Sequence, residues 1–249
     1  MNLKESLISA KKDGLKQAWL TAYDYPMARL LEETGIDLLL VGDSLGMVVL
    51  GYPDTVDVTM SEMLHHLSAV RRGVSRTPVA ADLPFASYDT PEMALLNSRL
   101  LIEAGADAVK LEGCLPDQIK AITEEGIEVI GHLGMLPQHV REEGGYHKKG
   151  QSEAEAVSLI QSALILQEVG CCAVVLELLN EDVASIISKK LDIPTIGIGS
   201  GKACDGQILV TPDLVGLQPW FRPAFVKAKV DLASPLQEAV RDYISAIRS

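Results

Sequence analysis

Five short apolar runs in this chain each stop at a residue that can titrate. LLLVGDS at 38–44 delivers Asp43 and then Ser44, and PVAAD at 78–82 delivers Asp82. AVKLE at 108–112 ends in Glu112, two positions after Lys110; VIGH at 129–132 ends in His132, and AVVLE at 173–177 in Glu177. Residues two apart on a strand share a face. Lys110 and Glu112 therefore point the same way above Ala108, Asp82 stands above Ala80, and Glu177 above Val175 and Ala173. Three carboxylates, Asp43, Asp82 and Glu112, brought into one partly buried space repel strongly unless something positive lies between them. A hard divalent cation such as Mg2+ answers that need. It takes oxygen ligands, usually one or two protein carboxylates with water and substrate, so one of the three could act through water. Lys110 could hold an anionic substrate, form a Schiff base with a ketone, or pair with a neighbouring carboxylate. His132 is either a hydrogen-bonded structural residue or a group facing substrate. Glu177, with apolar neighbours Val174 to Leu176 and Leu178-Leu179, suits a general base or an ion pair with a barrel lysine.

The simplest architecture that gathers such endings is a single (β/α)8 TIM barrel, whose catalytic groups lie at the C-terminal ends of parallel strands. The 249 residues suit one such domain over 1–249, with no Gly/Ser/Pro-rich linker to divide it. The pattern predicts strands at 18–23, 38–43, 78–83, 106–112, 127–132, 171–177, 193–198 and 207–210. Helix signals fall between them: Pro26, a Thr59/Glu62 capping box, Thr90-Pro91-Glu92, Pro116, a Ser152/Glu155 capping box and Asn180. Residues 3–10 read as an amphipathic helix against the body, and 233–249 as a closing helix. Residues 47–58 and 133–151 lack periodicity and are long enough to cover a site. The gap between the last two strands is too short for a crossover helix, and GIGSG at 197–201 reads as a tight turn. An open doubly wound sheet is the rival fold, but no GxGxxG follows the first strand.

Composition narrows the partners. The net charge is −12, with no run of Lys/Arg longer than two, which disfavours nucleic acid and anionic membrane surfaces. The chain is 47% hydrophobic and 4% aromatic, so the core is aliphatic. Cys114, Cys171, Cys172 and Cys204 form no CxxC pair, and free thiols point to a reducing compartment. The start has no apolar h-region, and no apolar run reaches membrane-spanning length. These features predict a soluble cytoplasmic protein.

TAYDYPMA at 21–28, VGDSLGMV at 41–48, TVDVTMSEMLHH at 55–66, ADLPF at 81–85, VKLEG at 109–113, GHLGMLPQ at 131–138, GGY at 144–146 and IGIGSGKACDGQILV at 196–210 together resemble the ketopantoate hydroxymethyltransferase family. The resemblance implies a barrel of the phosphoenolpyruvate mutase/isocitrate lyase type. It implies transfer of a one-carbon unit from 5,10-methylenetetrahydrofolate to 3-methyl-2-oxobutanoate, giving 2-dehydropantoate for pantothenate and coenzyme A synthesis. It also implies Mg2+ and a large homo-oligomer, typically a decamer. Matched motif by motif, Asp43 and Asp82 correspond to metal and substrate ligands, Glu112 to a metal-associated carboxylate, and Ser44, Lys110, His132 and Tyr23 to substrate-side residues. Glu177 corresponds to the proton acceptor, in a motif that reads LELLN here and LECVP in most of the family. The residues alone leave two other readings open: a Mg2+-dependent lyase or aldolase on 2-oxo acids that works without folate, and a non-catalytic metabolite-binding barrel.

Overall fold

A computed structural model describes residues 2–221 and 223–249. The described residues form two compact units, 1–208 and 209–249. The first contains α1 (Leu3–Lys12), β1 (Gln17–Thr21), α2 (Tyr25–Glu32), β2 (Leu38–Val41), α3 (Met60–Gly73), β3 (Val79–Asp82), α4 (Pro91–Glu103), β4 (Ala108–Glu112) and α5 (Pro116–Thr123). It continues with β5 (Val129–Gly134), α6 (Val140–Glu143), α7 (Glu153–Glu168), β6 (Ala173–Glu177), α8 (Glu181–Lys190), β7 (Thr195–Ile198) and β8 (Gly206–Leu209), whose last residue opens the second unit. The eight strands close into a barrel in chain order, and β1 to β8 pair parallel, each with the next. The second unit carries α9 (Thr211–Leu214) and α10 (Ala233–Arg248). Among the described residues no helix is long and apolar enough to cross a membrane.

Strand alternation divides the core in two. Leu39, Val41, Val79, Ala81, Val109, Leu111, Val129, Val174 and Leu176 face the helices in one cluster. Leu38, Leu40, Ala80, Ala108, Ile130, Ala173, Val175, Ile196 and Ile208 fill the barrel interior in another. Asp82, Lys110, Glu112, His132 and Glu177 share the parity of that second set, so each projects inward. Small residues, Ala80 and Ala108, lie one step below Asp82 and Lys110, and Val175 with Ala173 beneath it lies below Glu177. Below them the interior is packed with Trp19, Leu38 and Leu7, the last contributed by α1. Burying a leucine stabilises by about 1.5–3 kcal/mol, and α1 is also tied down by its lysines. Lys4 donates to Gly170 O at 2.7 Å, and Lys11 to Ser188 O and Ile193 O while pairing with Asp205 at 2.9 Å. All of these partners precede β6, β7 or β8, so α1 plugs the mouth opposite the titratable residues.

Boundaries differ from the sequence pattern where the chain turns. β2 stops at Val41 rather than 43, and β5 runs on to Gly134. Residues 46–50, expected to be irregular, form a π-turn, and 137–139 a 3-10 turn inside the second long stretch. The Thr59/Glu62 capping box forms in full. The Ser152 box is half made, because the Glu155 carboxylate turns to Gln151 N at 2.9 Å. Residues 199–205 connect β7 to β8 without a helix, through Gly199 and Gly201 at φ +66° and +81°. Cys171 and Cys172 lie just ahead of β6 and face opposite sides, one in each core cluster.

One surface carboxylate holds a whole loop. Glu32, at the end of α2, accepts backbone N–H bonds from Ser75, Arg76 and Thr77 at 2.8, 2.7 and 3.0 Å, fixing the entry to β3. Those bonds, with Thr77 and Arg76 contributing most, draw its carboxyl down to about 2. A folded-state value below the unfolded one means stabilisation that is complete above about pH 4.5 and lost as pH falls toward 2. Glu32→Gln is expected to cost about 1 kcal/mol at pH 7 once solvent screening is allowed for, a fall of about 2–4 °C in Tm. The gap between variant and parent in urea midpoint should narrow progressively below about pH 4.5; a gap independent of pH would contradict it.

Candidate active site

The rim of the barrel at the strands' C-terminal ends holds a buried network of charges. Asp43, Asp82, Lys110, Glu112 and His132 are each no more than 5% exposed. Lys110 Nζ pairs with Asp82 Oδ1 at 2.6 Å, and Asp82 Oδ2 accepts the Asp43 backbone N–H at 3.1 Å. His132 lies between two carboxylates, with Nδ1 3.4 Å from Glu112 Oε1 and Nε2 3.3 Å from Glu177 Oε2. Neither ring nitrogen makes a well-directed hydrogen bond, so these are close charge contacts. Tyr23 Oη and Ser44 Oγ are bonded at 2.9 Å, and the Tyr23 carbonyl accepts from His66 Nδ1 at 2.7 Å. All eight sequence-nominated residues, Tyr23, Asp43, Ser44, Asp82, Lys110, Glu112, His132 and Glu177, thus belong to one end of the barrel.

Backbone geometry explains two of these placements. In β2 the inward positions are Leu38 and Leu40, so the next inward position would be Gly42 and not Asp43. The strand ends at Val41, the chain turns, and Asp43 swings back into the site. Gly42 has no side chain to obstruct this: a Cβ there would lie 2.9 Å from Ser44 Oγ and 3.4 Å from Asp82 Oδ2. After β6, Leu178 adopts φ +48°, a left-handed conformation that costs a leucine on the order of 1–3 kcal/mol. Three bonds hold it: Met135 N–H to Glu177 O, Leu178 N–H to Ile198 O and Lys149 N–H to Leu178 O, each 2.9 Å. Glycine at 134 is required for the first, since a Cβ would meet Glu177 O at 2.1 Å.

The electrostatics are those of a site short of positive charge. Burial, then the charges of Asp82 and Glu112, hold the Asp43 carboxyl well above the usual carboxylate range. Burial would lower the basicity of Lys110, but Asp82, Glu112 and Asp43 outweigh it and raise the ammonium above its ordinary value. A lysine held this firmly as a cation is suited to binding an anion and poorly suited to Schiff-base formation. Burial would likewise lower His132; its contacts with Glu112 and Glu177 outweigh that and push it up to about 9.

Several participants carried no signal in the sequence. Gln138, 2% exposed, donates from Nε2 to Asp43 Oδ2 at 2.7 Å and to Leu83 O at 2.9 Å, and from its backbone N–H to Glu112 Oε2 at 3.0 Å. Tyr88 donates to Gln138 Oε1. GHLGMLPQ contains Gln138, but nothing in its spacing distinguishes an inward-turned glutamine from an exposed loop residue. Ser200, within GIGSG, accepts the Leu179 N–H at 2.9 Å and donates to Leu176 O at 2.7 Å, bracing the end of β6. The two long loops are joined to each other. Arg141 binds Asp54 through Nε and Nη2 at 2.8 and 2.9 Å and Asp57 through Nη1 and Nη2 at 3.1 and 2.6 Å, and Tyr146 Oη meets Met47 Sδ at 3.6 Å.

Among the described residues no three His, Cys, Asp or Glu side chains are drawn together as a ready-made cation cage. The carboxylates are instead mostly spoken for. Asp82 uses its oxygens on Lys110 and the Asp43 N–H, and Glu112 uses its own on Gln138 and His132. Asp43 Oδ1 has no hydrogen-bond partner among the described residues. A carboxyl oxygen without a partner, in a net-negative setting that opposes the group's own ionisation, is a donor that fits a hard divalent cation completing its shell with water and substrate oxygens.

Known proteins were compared with the chain. The family model for ketopantoate hydroxymethyltransferase matches residues 3–249. The 3-methyl-2-oxobutanoate hydroxymethyltransferase of Acetivibrio thermocellus is 48% identical over 248 residues, covering 98% of this chain and 88% of that one. The proteins of the same name from Syntrophus aciditrophicus and Ignicoccus hospitalis are 49% and 46% identical, covering 96% of this chain and 89% and 91% of theirs. In fold the chain is similar to phosphonopyruvate hydrolase, solved with oxalate and Mg2+ (TM-score 0.66, 15% identity, 100% of this chain and 87% of that one). It is also similar to 2,3-dimethylmalate lyase, a member of the PEP mutase/isocitrate lyase superfamily (TM-score 0.64, 16% identity, 100% and 88%). A match that runs nearly end to end, with close to half of all residues identical in each of these relatives, leaves one assignment: the chain belongs to the ketopantoate hydroxymethyltransferase family.

Proposed function

We propose that the chain catalyses the reaction for which its relatives are named: addition of a hydroxymethyl group to C3 of 3-methyl-2-oxobutanoate, the carbon coming from 5,10-methylenetetrahydrofolate. The observation that carries this reading is the placement of Glu177. Its Oε2 faces the His132 ring at 3.3 Å, its Oε1 has no hydrogen-bond partner among the described residues, and its side chain is 14% exposed. On the other side of His132 lies the group of Asp43, Asp82, Lys110 and Glu112. A 2-oxo acid lying between these groups would have its oxygens toward Lys110 and the cation that Asp43 would hold, and its C3 proton toward Glu177 Oε1.

Asp43 is the residue to hold Mg2+, with Asp82 and Glu112 beside it, acting directly or through water. Bound there, Mg2+ would supply a Lewis acid that makes the C3 proton of the keto acid more acidic. Lys110 holds the substrate's carboxylate. Glu177 Oε1 accepts the C3 proton as general base, and the electron pair left at C3 attacks the one-carbon unit. Water supplies the hydroxyl oxygen as the carbon's bonds to the folate nitrogens break, and tetrahydrofolate leaves with those nitrogens carrying the proton taken from C3 and one proton of that water. His132, 3.3 Å from Glu177 Oε2, orients that carboxyl for its task. Tyr23 and Ser44 form one wall of the pocket, while Leu40 and Ile208 of the barrel-interior cluster and Ile198, packed against it, receive the branched alkyl end. The joined loops at 45–58 and 133–151 exclude bulk water. We further propose that the chain works in the cytoplasm as a homo-oligomer, a decamer as in its family. The outward apolar stripe of α10, with Leu236, Val240, Tyr243 and Ile247 each at least 48% exposed, supports self-association.

Deuterium exchange at C3 of 3-methyl-2-oxobutanoate, followed by NMR without folate, tests the enolisation half of this reaction. Exchange is expected with Mg2+ and should vanish with chelator; no exchange under any condition would remove the proposed substrate. Glu177→Gln should lower both exchange and turnover by about 10^2–10^4, while Mg2+ and keto-acid affinities stay within about threefold of the parent. Unchanged turnover would take the base role away from Glu177.

A further inference from the structure

Gln138 occupies the 3-10 turn Pro137–His139, in a loop where a glutamine would ordinarily be solvated, yet it is 2% exposed. Its amide orientation is forced by its neighbours. Nε2 lies between two acceptors, the Asp43 carboxylate at 2.7 Å and the Leu83 carbonyl at 2.9 Å. A flipped amide would set Oε1 against both. The Tyr88 hydroxyl, itself buried, donates to Oε1 and holds the orientation from behind. Both N–H directions of the amide are used, one of them to occupy Asp43 Oδ2. What remains of that carboxylate is Oδ1, the oxygen without a hydrogen-bond partner among the described residues. The same residue's backbone N–H meets Glu112 Oε2 at 3.0 Å, on the edge away from His132.

We propose that Gln138, oriented by Tyr88, is a positioning residue for the cation site: it fixes the Asp43 carboxylate so that Oδ1 alone is presented to Mg2+. This rests on the cation-assisted reading given above. A carboxylate anchored by one oxygen has lost its rotational freedom before the ion arrives, so less ordering is needed on binding. Partners that orient a metal-ligating carboxylate typically contribute 10–100-fold in metal affinity. Side-chain replacement should release Asp43 while leaving the backbone contact to Glu112, so the effect should fall on metal affinity and spare the chemical step.

The test is isothermal titration calorimetry of Mg2+ into the full-length chain, for the parent, Gln138→Met, Tyr88→Phe and the double variant. Methionine keeps the approximate volume of the side chain and removes its donors. Gln138→Met is expected to weaken Mg2+ binding by about 10–100-fold. Tyr88→Phe should weaken it by a smaller factor, and the double variant by less than the product, because both act on the same carboxylate. At saturating Mg2+ the C3 exchange rate of Gln138→Met should return to within about fivefold of the parent, the signature of positioning rather than of chemistry. If the variants fold, by circular dichroism and Tm, and bind Mg2+ within about twofold of the parent, the proposal is wrong. Should Gln138→Met fail to fold, Tyr88→Phe decides alone by the same criterion. A parent chain that binds no Mg2+ removes the cation reading itself, and the proposal with it.

Discussion

Too many negative charges are buried at one end of this barrel, and most of the local structure answers that fact. Asp43, Asp82, Glu112 and Glu177 share the space with two cations, Lys110 and His132. Buried charges are expensive unless paired and hydrogen-bonded, and here almost every carboxylate oxygen has a donor or a cation against it. Lys110 remains an ammonium and His132 is driven toward the imidazolium because the carboxylates outweigh burial. At Asp43 burial and the neighbouring charges of Asp82 and Glu112 oppose ionisation, and its Oδ1 has no hydrogen-bond partner among the described residues. A deficit of this kind fits a hard divalent cation, and the packing around it leaves room for these side chains.

That packing is visible below and above the charges. Below, alanines on β3, β4 and β6 leave room under the long polar side chains, and the bulk of Trp19, Leu38 and the α1 residue Leu7 fills the remainder. The plug is anchored by lysines reaching backbone carbonyls ahead of β6 and β7 and the Asp205 carboxylate ahead of β8, so the tied-down end of the barrel is the one opposite the buried charges. Above, Arg141 fastens the loop after β5 to the loop after β2. Its pairs with Asp54 and Asp57 are solvent-exposed, so they hold the loops without locking them. The loop after β5 also supplies Gln138, so the segment that covers the site and the residue that anchors Asp43 are parts of one piece of chain.

Two features of the backbone show how closely the carboxylates are aimed. Leu178 is held in a conformation that leucine avoids, braced by three hydrogen bonds, and this bend sets the direction of Glu177. Gly134 and Gly42 are empty of side chain where a carbonyl in one case and a carboxylate in the other come close. Strain and vacancy of this kind concentrate where a side chain must be placed accurately.

The barrel was legible because it is written in periodicity. Parallel strands buried on both sides read as apolar runs, and the two-residue repeat sets Asp82, Lys110, Glu112 and Glu177 each on the same face as the small or apolar residues below it. Capping at Thr59 and Asn180, and the turn chemistry of GIGSG, are likewise local and follow from a few neighbouring residues. Asp43 was not decided that way. A strand continued through 43 would have turned it toward the helices, and only the end of β2 at Val41, with a glycine next, brings it inside. Gln138 was invisible for a related reason: its partners are Asp43, Leu83, Tyr88 and Glu112, distant in the chain, and a glutamine in an aperiodic loop carries no mark of burial. Sequence fixes what each strand does to its own residues, because alternation is a property of the backbone; which loops fold back over the rim, and which polar groups they bring to meet the carboxylates, is settled only when the ring has closed.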